Sequence, residues 1–432
     1  MSDQTAVVTC FLRHQGEIAL LKRAATRGTY PERWAGVSGY LEHGDPIETA
    51  RMEIREEVGL GAPRIVRSGS AIQVVDESVD RTWTVHPFLF DVEHRDFDPG
   101  REHSAIEWVP ATAILRRSTV PDLWRTYRQV GPSVETVADD TEHGSATISI
   151  HALEALRDRA GELAVKGDSL EPIQIYADRL LDARPGMAAL QNRINRAMAN
   201  ATSPAAVESA AIAGIERAID ADTAAAANAA ETIADSRVLT LSRSGTVIEA
   251  LAAGTDTVVV AESRPAREGI TVAETLAAEG VDVTVCTDAA MASLLADADS
   301  PIETVLVGAD TVLADGRVVN KTGTRSAALA AAHEDVPLYV VAASDKIAFE
   351  TTPTVEEGPG SAVYDGDADL TPVNPTFDVT PTELVDGVIT EDGVLTSDDI
   401  EAVAMDHRSL TTWPEPNDDG MSPDERSATD GE

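Results

Sequence analysis

The pattern of apolar and polar positions changes twice along the chain. Over roughly the first 115 residues, short apolar runs are separated by turn residues. Ala6-Val-Val-Thr-Cys-Phe-Leu12 and Ile18-Ala-Leu-Leu21 predict two strands joined at Gln15-Gly16. Ala71-Ile-Gln-Val-Val75, Thr82-Trp-Thr-Val-His-Pro-Phe-Leu-Phe90 and Glu107-Trp108-Val109-Pro110 predict further strands, the last followed by a short helix at Ala111–Leu115. Between them, Gly39–Leu60 reads as a glycine-rich loop and one helix. Ile47, Ile54 and Val58 fall on a stripe that can be buried, while Glu53, Glu56 and Glu57, at i, i+3 and i+4, fall on another.

From Ser145 to Ile233 the pattern becomes alanine-rich with helical spacing, as in Ile150–Leu156 and Ala206–Ile219. Val238–Leu241, Thr257–Ala261, Val281–Val285, Val305–Val307 and Leu338–Ala342 are then β-branched runs separated by helical segments, the pattern of a buried parallel sheet. Ligands bind such sheets beyond the carboxyl ends of the strands. The expected organisation is α/β throughout: an α/β/α sandwich over residues 1–130, a connector over 131–144, a helical subdomain over 145–235 and a Rossmann-like domain over 236–406. An acidic, disordered tail is expected over 407–432.

The glutamate stripe is the first feature with chemical content. Three adjacent carboxylates repel one another unless a cation sits among them, and hard divalent ions take oxygen ligands that bridge to substrate phosphates. Composition narrows the partners. A formal charge of −40 argues against a nucleic-acid-binding surface, which needs Lys and Arg for phosphates. The acid is dispersed and lysine is scarce, with Lys22, Lys166, Lys321 and Lys346 the complete set, a composition similar to that of halophilic proteins. Cys10 and Cys286 are far apart in sequence, which argues for a reducing cytoplasm and against a disulfide framework. No apolar run reaches the length of a membrane helix, so a soluble protein without membrane contact is expected. His143 and His151 show no metal-ligand spacing with Cys or carboxylates, which argues against a zinc site.

The Gly39–Leu60 stretch resembles the Nudix box, whose final part here reads Met52-Glu53-Ile54-Arg55-Glu56-Glu57-Val58-Gly59-Leu60. The resemblance implies that Glu53, Glu56 and Glu57 are both metal-binding and catalytic, with Mg²⁺ (or Mn²⁺) as cofactor and a nucleoside diphosphate-linked small molecule as substrate. Two positions depart from the family pattern: Met52 stands where an arginine is usual, and the loop is one residue short, with Asp45 where the first glutamate would stand.

A second resemblance covers about 290 residues. It rests on Arg184-Pro185 with Met187–Leu190, Thr240-Leu-Ser-Arg-Ser-Gly-Thr-Val247, Glu262-Ser-Arg-Pro265, Gly308-Ala-Asp310, Asn320-Lys-Thr-Gly-Thr324 and Asn374–Pro381. Together these look like the superfamily of translation initiation factor 2B α, β and δ subunits, ribose-1,5-bisphosphate isomerase and methylthioribose-1-phosphate isomerase. The resemblance implies a homodimer formed through this domain. The isomerases use a Cys and an Asp; the matching positions are Ser242 and Asp310, and a hydroxyl is a far weaker acid than a thiol. Their glycine-rich phosphate loop is matched best by His143-Gly-Ser-Ala-Thr-Ile148, without its two arginines. Arg264, Asn320 and Lys321 remain as ligand-binding candidates.

The expectation is a Mg²⁺-dependent hydrolase fused to a module that binds a phosphorylated sugar or nucleotide without isomerase chemistry. Two alternatives stand beside it. In one the protein is bifunctional, with an active aldose–ketose isomerase that uses Ser242 and Asp310, or Cys286 in place of the missing thiol. In the other it is a translation-initiation regulator with an inactive Nudix domain.

Overall fold

The computed structural model describes residues 3–25, 29–41, 44–61, 63–98, 100, 102–354 and 357–414. The N-terminal unit is built on a mixed sheet. Strands β1 (Asp3–His14) and β2 (Glu17–Arg23) form a hairpin whose turn is Gln15-Gly16, both at positive φ. Then follow β3 (Trp34–Ala35), β4 (Val37–Tyr40), helix α1 (Pro46–Val58), β5 (Arg64–Ser68), β6 (Ile72–Asp76), β7 (Arg81–Asp91) and β8 (His103–Pro110). β1 runs parallel to β7, while the other pairings are antiparallel. Alternate residues of β1 serve opposite faces: Val8, Cys10 and Leu12 pack under Ala50, Ile54 and Val58 of α1, whereas Phe11 packs with Leu123 and Tyr127 on the other side. That second face is closed by residues 111–116 and α2 (Leu123–Tyr127). The expected sandwich is therefore present, and its two covered faces explain why β1 is apolar at consecutive positions.

Residues 131–144 hold α3 (Val134–Ala138), started by a Ser133/Thr136 capping box. Helices α4 (Ser145–Lys166), α5 (Glu171–Ala183), α6 (Ala188–Met198) and α7 (Pro204–Thr232) form the helical unit around Leu153, Leu156, Leu190 and Ile194. Its contact with the N-terminal sheet is intimate. Arg13 reaches both Asp91 (2.8 Å) and Glu154 (2.9 Å), Tyr127 donates to Asp158 (3.0 Å), and Arg157 donates to the Gly16 carbonyl (2.5 Å). Gly16 must lack a side chain here, since a Cβ would stand 2.6 Å from Ile215.

The last unit carries β9 (Val238–Thr240), α8 (Gly245–Gly254), β10 (Thr257–Ala261), α9 (Glu268–Ala278), β11 (Asp282–Cys286), α10 (Met291–Leu295) and β12 (Thr304–Gly308). A small antiparallel sheet is inserted next, from β13 (Thr311–Val312), β14 (Val318–Lys321) and, later in the chain, β16 (Phe377–Thr380). Between β14 and β16 lie α11 (Thr324–His333) and β15 (Leu338–Val341); β17 (Gly387–Thr390), β18 (Gly393–Leu395) and α12 (Ser397–Ser409) complete the chain. The main sheet has the order β11-β10-β9-β12-β15-β17-β18, parallel except for β18. Strand order reverses between β9 and β12, which leaves a crevice beyond their carboxyl ends. Val238 and Leu239, like Val258 and Val259, serve opposite apolar layers, so the β-branched runs are continuous because both faces are covered.

Residues 407–414, expected in the acidic tail, belong to the fold. His407 is buried with its Nδ1 on the Ile347 carbonyl (2.8 Å), and Trp413 donates to Asn195 (3.1 Å). The remainder, 415–432, lies outside the described residues. Among the described residues, no helix is long and apolar enough to cross a membrane.

Candidate functional sites

Local chemistry places α1 tightly. Asp45 is its N-cap and accepts from the Ile47 amide (2.9 Å), Pro46 occupies the first turn, and Gly59 ends it in the left-handed conformation. Asp45 thus has a structural task in place of the carboxylate expected from the family pattern. Positions 42 and 43 of the shortened loop lie outside the described residues. Along α1, Glu56 is exposed, Glu53 is half-buried, and Glu57 is buried at 8% exposure against β4. Gly39 permits this approach, because a Cβ there would stand 1.9 Å from the Glu53 carboxylate.

Glu57 Oε1 accepts from the Ser38 amide at 3.4 Å, whereas Oε2 has no hydrogen-bond partner and lies 3.6 Å from His103 Nε2. Burial, reinforced by Glu53, pushes the Glu57 carboxyl up to about 8; Ser38 and Arg23 act in the opposite direction. Glu53 is raised by burial and then by Glu56 and Glu102. Burial pushes His103 down to about 4, with Arg23 adding to the effect, so the imidazole is neutral at pH 7 and does not neutralise the acids. Glu102 and His103 are the members of this site that sequence reasoning missed: they lie about 45 residues beyond α1 and arrive only through the β2–β8 pairing.

A buried carboxylate with an orphaned oxygen, among three further carboxylates, fits a hard divalent cation. Beside it is a cleft lined by Arg23, Gly39, Tyr30, Tyr40 and Trp83. Trp83 lies 6.4 Å from Tyr30 and 6.2 Å from Tyr40, centroid to centroid, and donates its indole N–H to the Tyr30 hydroxyl. Cys10, beneath α1 and fully buried, packs in the core.

In the C-terminal crevice, Ser242 follows β9 and Asp310 follows β12, and both line one cleft. Ser242 adopts a positive φ of 69° and donates its hydroxyl to Glu268 (2.8 Å), which in turn pairs with Lys321 (3.3 Å). Glu268 was not singled out in the sequence; it comes from the start of α9. Asp310 is raised by burial, while Lys346 and Lys321 oppose that shift. Lys346 is itself buried and donates to the Ala309 carbonyl (2.8 Å). Asn320 is buried and donates to Thr324 at the start of α11. Arg264 is exposed and, unlike Asn320 and Lys321, is not part of the cleft lining. Cys286 ends the edge strand β11, two strands from β9, and also stands apart from the cleft.

The histidines need a correction. His143 and His151, separate in the sequence reading, converge on Asp140: the three ligand-type atoms lie within 4.8 Å of one another. His143 Nδ1 is 2.8 Å from Asp140 Oδ2, and its Nε2 is 2.7 Å from a guanidinium nitrogen of Arg64. Because a guanidinium only donates, Nε2 accepts and the ring proton sits on Nδ1, facing Asp140. Both ring nitrogens are thus engaged in hydrogen bonds.

Comparison with known proteins places these sites in context. The Initiation factor 2 subunit family model matches residues 141–397, and the NUDIX domain model matches residues 2–130. The chain is 33% identical over 304 residues to a ribose 1,5-bisphosphate isomerase from Haloterrigena turkmenica, covering 61% of this chain and 90% of that protein. It is 32% identical over 344 residues to a methylthioribose-1-phosphate isomerase from Pseudomonas entomophila, covering 70% and 95%. The translation initiation factor eIF-2B of Pyrococcus horikoshii superposes with a TM-score of 0.52 at 26% identity, over 61% of this chain and 94% of that one.

Proposed function

Because the chain belongs to the Initiation factor 2 subunit family and carries a NUDIX domain ahead of that match, we propose a hydrolase fused to a ligand-binding module. The first domain hydrolyses a nucleoside diphosphate-linked metabolite with Mg²⁺ or Mn²⁺. The second binds a phosphorylated sugar or nucleotide and has lost isomerase chemistry. The observation that carries the first part is the orphaned, buried Glu57 Oε2 among Glu53, Glu56 and Glu102. Glu53, Glu56 and Glu57 would hold the cation, which when bound supplies charge neutralisation at the diphosphate and an acidified water. Arg23, which lines the neighbouring cleft, would meet a phosphate oxygen, and Trp83 with Tyr30 and Tyr40 would offer an aromatic surface to a base.

For the second domain, Ser242 in place of a thiol supports binding without isomerisation: its hydroxyl is bonded to a carboxylate already paired with Lys321. Dimerisation through this domain is part of the proposal. Release of nucleotide from a panel of ADP-sugars and related compounds, measured in high-salt buffer with Mg²⁺, tests the hydrolase. Glu56→Gln is expected to reduce turnover more than about a hundredfold, since several kcal/mol of charge stabilisation is lost. Absence of turnover across the panel, with cation bound, refutes it. Conversion of ribose-1,5-bisphosphate to the ketose form, abolished by Asp310→Asn, would instead favour the bifunctional reading.

A further inference from the structure

Asp222 of α7 and Glu249 of α8 both line the second cleft, together with Ser242, Asp310 and Lys346. We propose that these two carboxylates read the vicinal hydroxyls of the ligand's sugar, so that the cleft takes ribose-type phosphates and discriminates against their deoxy forms. The inference rests on the reading above that this cleft binds a phosphorylated sugar or nucleotide. It adds which part of that ligand is recognised, and by which residues.

Three observations converge. First, the acids are neighbours. Burial raises the Glu249 carboxyl and Asp222 raises it further, and among the described residues the Glu249 side chain has neither a hydrogen bond nor an ion pair. Second, Asp222 has acceptor capacity to spare. Its Oδ1 is buried with no hydrogen-bond partner, a costly state unless a donor completes it, and its Oδ2 lies 3.8 Å from Arg193 Nη2, beyond hydrogen-bond reach. Third, Arg193 is fixed behind Asp222 with its side chain only 1% exposed. Its Nε donates to Asp345 (2.9 Å) and its Nη1 to Ser149 (2.7 Å), while Nη2, on the side of Asp222, has no hydrogen-bond partner either. The guanidinium thus sets positive charge beside Asp222 without occupying its lone pairs.

The class of partner follows from what these groups lack. Ionised carboxylates accept and cannot donate, so the partner must carry donors. Arg243, Lys346 and, from β5 of the first domain, Arg64 line the same cleft and oppose a free cation there. Neutral hydroxyls satisfy both conditions, and a pair on adjacent carbons can meet two acceptors that stand side by side. Bonds from a hydroxyl to a carboxylate are short and among the stronger ones. The same two acids repel a phosphate, so a phosphorylated ligand turns its sugar toward α7 and α8. Asp310 differs from them, since Lys346 and Lys321 stand beside it.

The test is calorimetry of the full chain, without divalent cation so that the first site is silent. Ribose 5-phosphate is compared with 2-deoxyribose 5-phosphate, and AMP with 2′-deoxy-AMP. In each pair that binds, wild type is expected to prefer the ribo form by about tenfold or more, the scale of a charged hydrogen bond. Glu249→Gln and Asp222→Asn should each cut that preference to about threefold or less. The preference is a ratio taken on one protein, so Asp222→Asn still reports even though losing the charge beside buried Arg193 lowers its stability. Equal binding of ribo and deoxy forms by wild type overturns the inference and leaves the ligand-binding reading standing. A preference that survives in either variant also overturns it, because the pair is then not what reads the hydroxyls. If none of the four compounds binds wild type, the ligand-binding reading fails and the inference falls with it.

Discussion

Around α1, Glu53, Glu56, Glu57 and Glu102 gather with Arg23 among them, and the most buried of these acids keeps an oxygen without a partner. At the ends of β9 and β12 the acids face bases: Glu268 pairs with Lys321, and Asp310 is opposed by Lys346 and Lys321. The first arrangement leaves a buried carboxyl oxygen unpartnered, whereas in the second the acids have cations beside them. The proposed division, metal-dependent chemistry in the first cleft and recognition in the second, follows that difference in charge.

The strongest way to break this contrast is to remove one charge from each side. Glu57→Gln should abolish cation-dependent hydrolysis, by more than about a hundredfold, while leaving ribose 5-phosphate binding within error. Lys321→Ala, which removes a cation from the lining of the second cleft, should do the reverse, and a shared loss of both would show that the sites are not independent. Next in size, Gly39→Ala forces a methyl group into the Glu53 carboxylate. Mn²⁺ affinity, read by titration, should drop by about tenfold or more, since overpacking of a tight contact typically costs about 1–3 kcal/mol.

A pH series sharpens the same point. In metal-free protein Glu57 keeps its proton to about pH 8, whereas an unfolded glutamate loses it near pH 4 to 5. The folded chain then binds more protons than the unfolded one, so its stability falls as pH rises through that window. Melting temperature should decline by several degrees from pH 5 to pH 8.5 in chelator, and Mg²⁺ should restore it at the upper end. The smallest effect is expected for Ser242→Ala, which removes one hydrogen bond to Glu268. Ribose 5-phosphate binding should weaken only a few-fold, the net worth of about 0.5–1.5 kcal/mol.

Much of this architecture could be read from local pattern. The stripe of Glu53, Glu56 and Glu57 follows from helical periodicity alone, and the caps at Asp45 and Gly59 confirm where that helix begins and ends. The β-branched runs identified a parallel sheet because strands covered on both faces have no polar side. Ser242 and Asp310 lie just beyond the ends of β9 and β12, where crossover topology brings strand ends to one edge.

Contacts made at long range were not legible. Glu102 joins the acidic site through strand pairing, Glu268 reaches Ser242 across 26 positions, and Arg64 meets His143 across 79. Arg264 looked like an anion ligand by its neighbours in sequence yet stands away from the cleft. Sequence by itself determined the main helices and strands and their order, because periodicity and capping act within a few residues. The tertiary structure alone decided which charges stay unpaired and which domain reaches into the other's cleft, because electrostatic balance depends on burial and on neighbours that the chain supplies from far away.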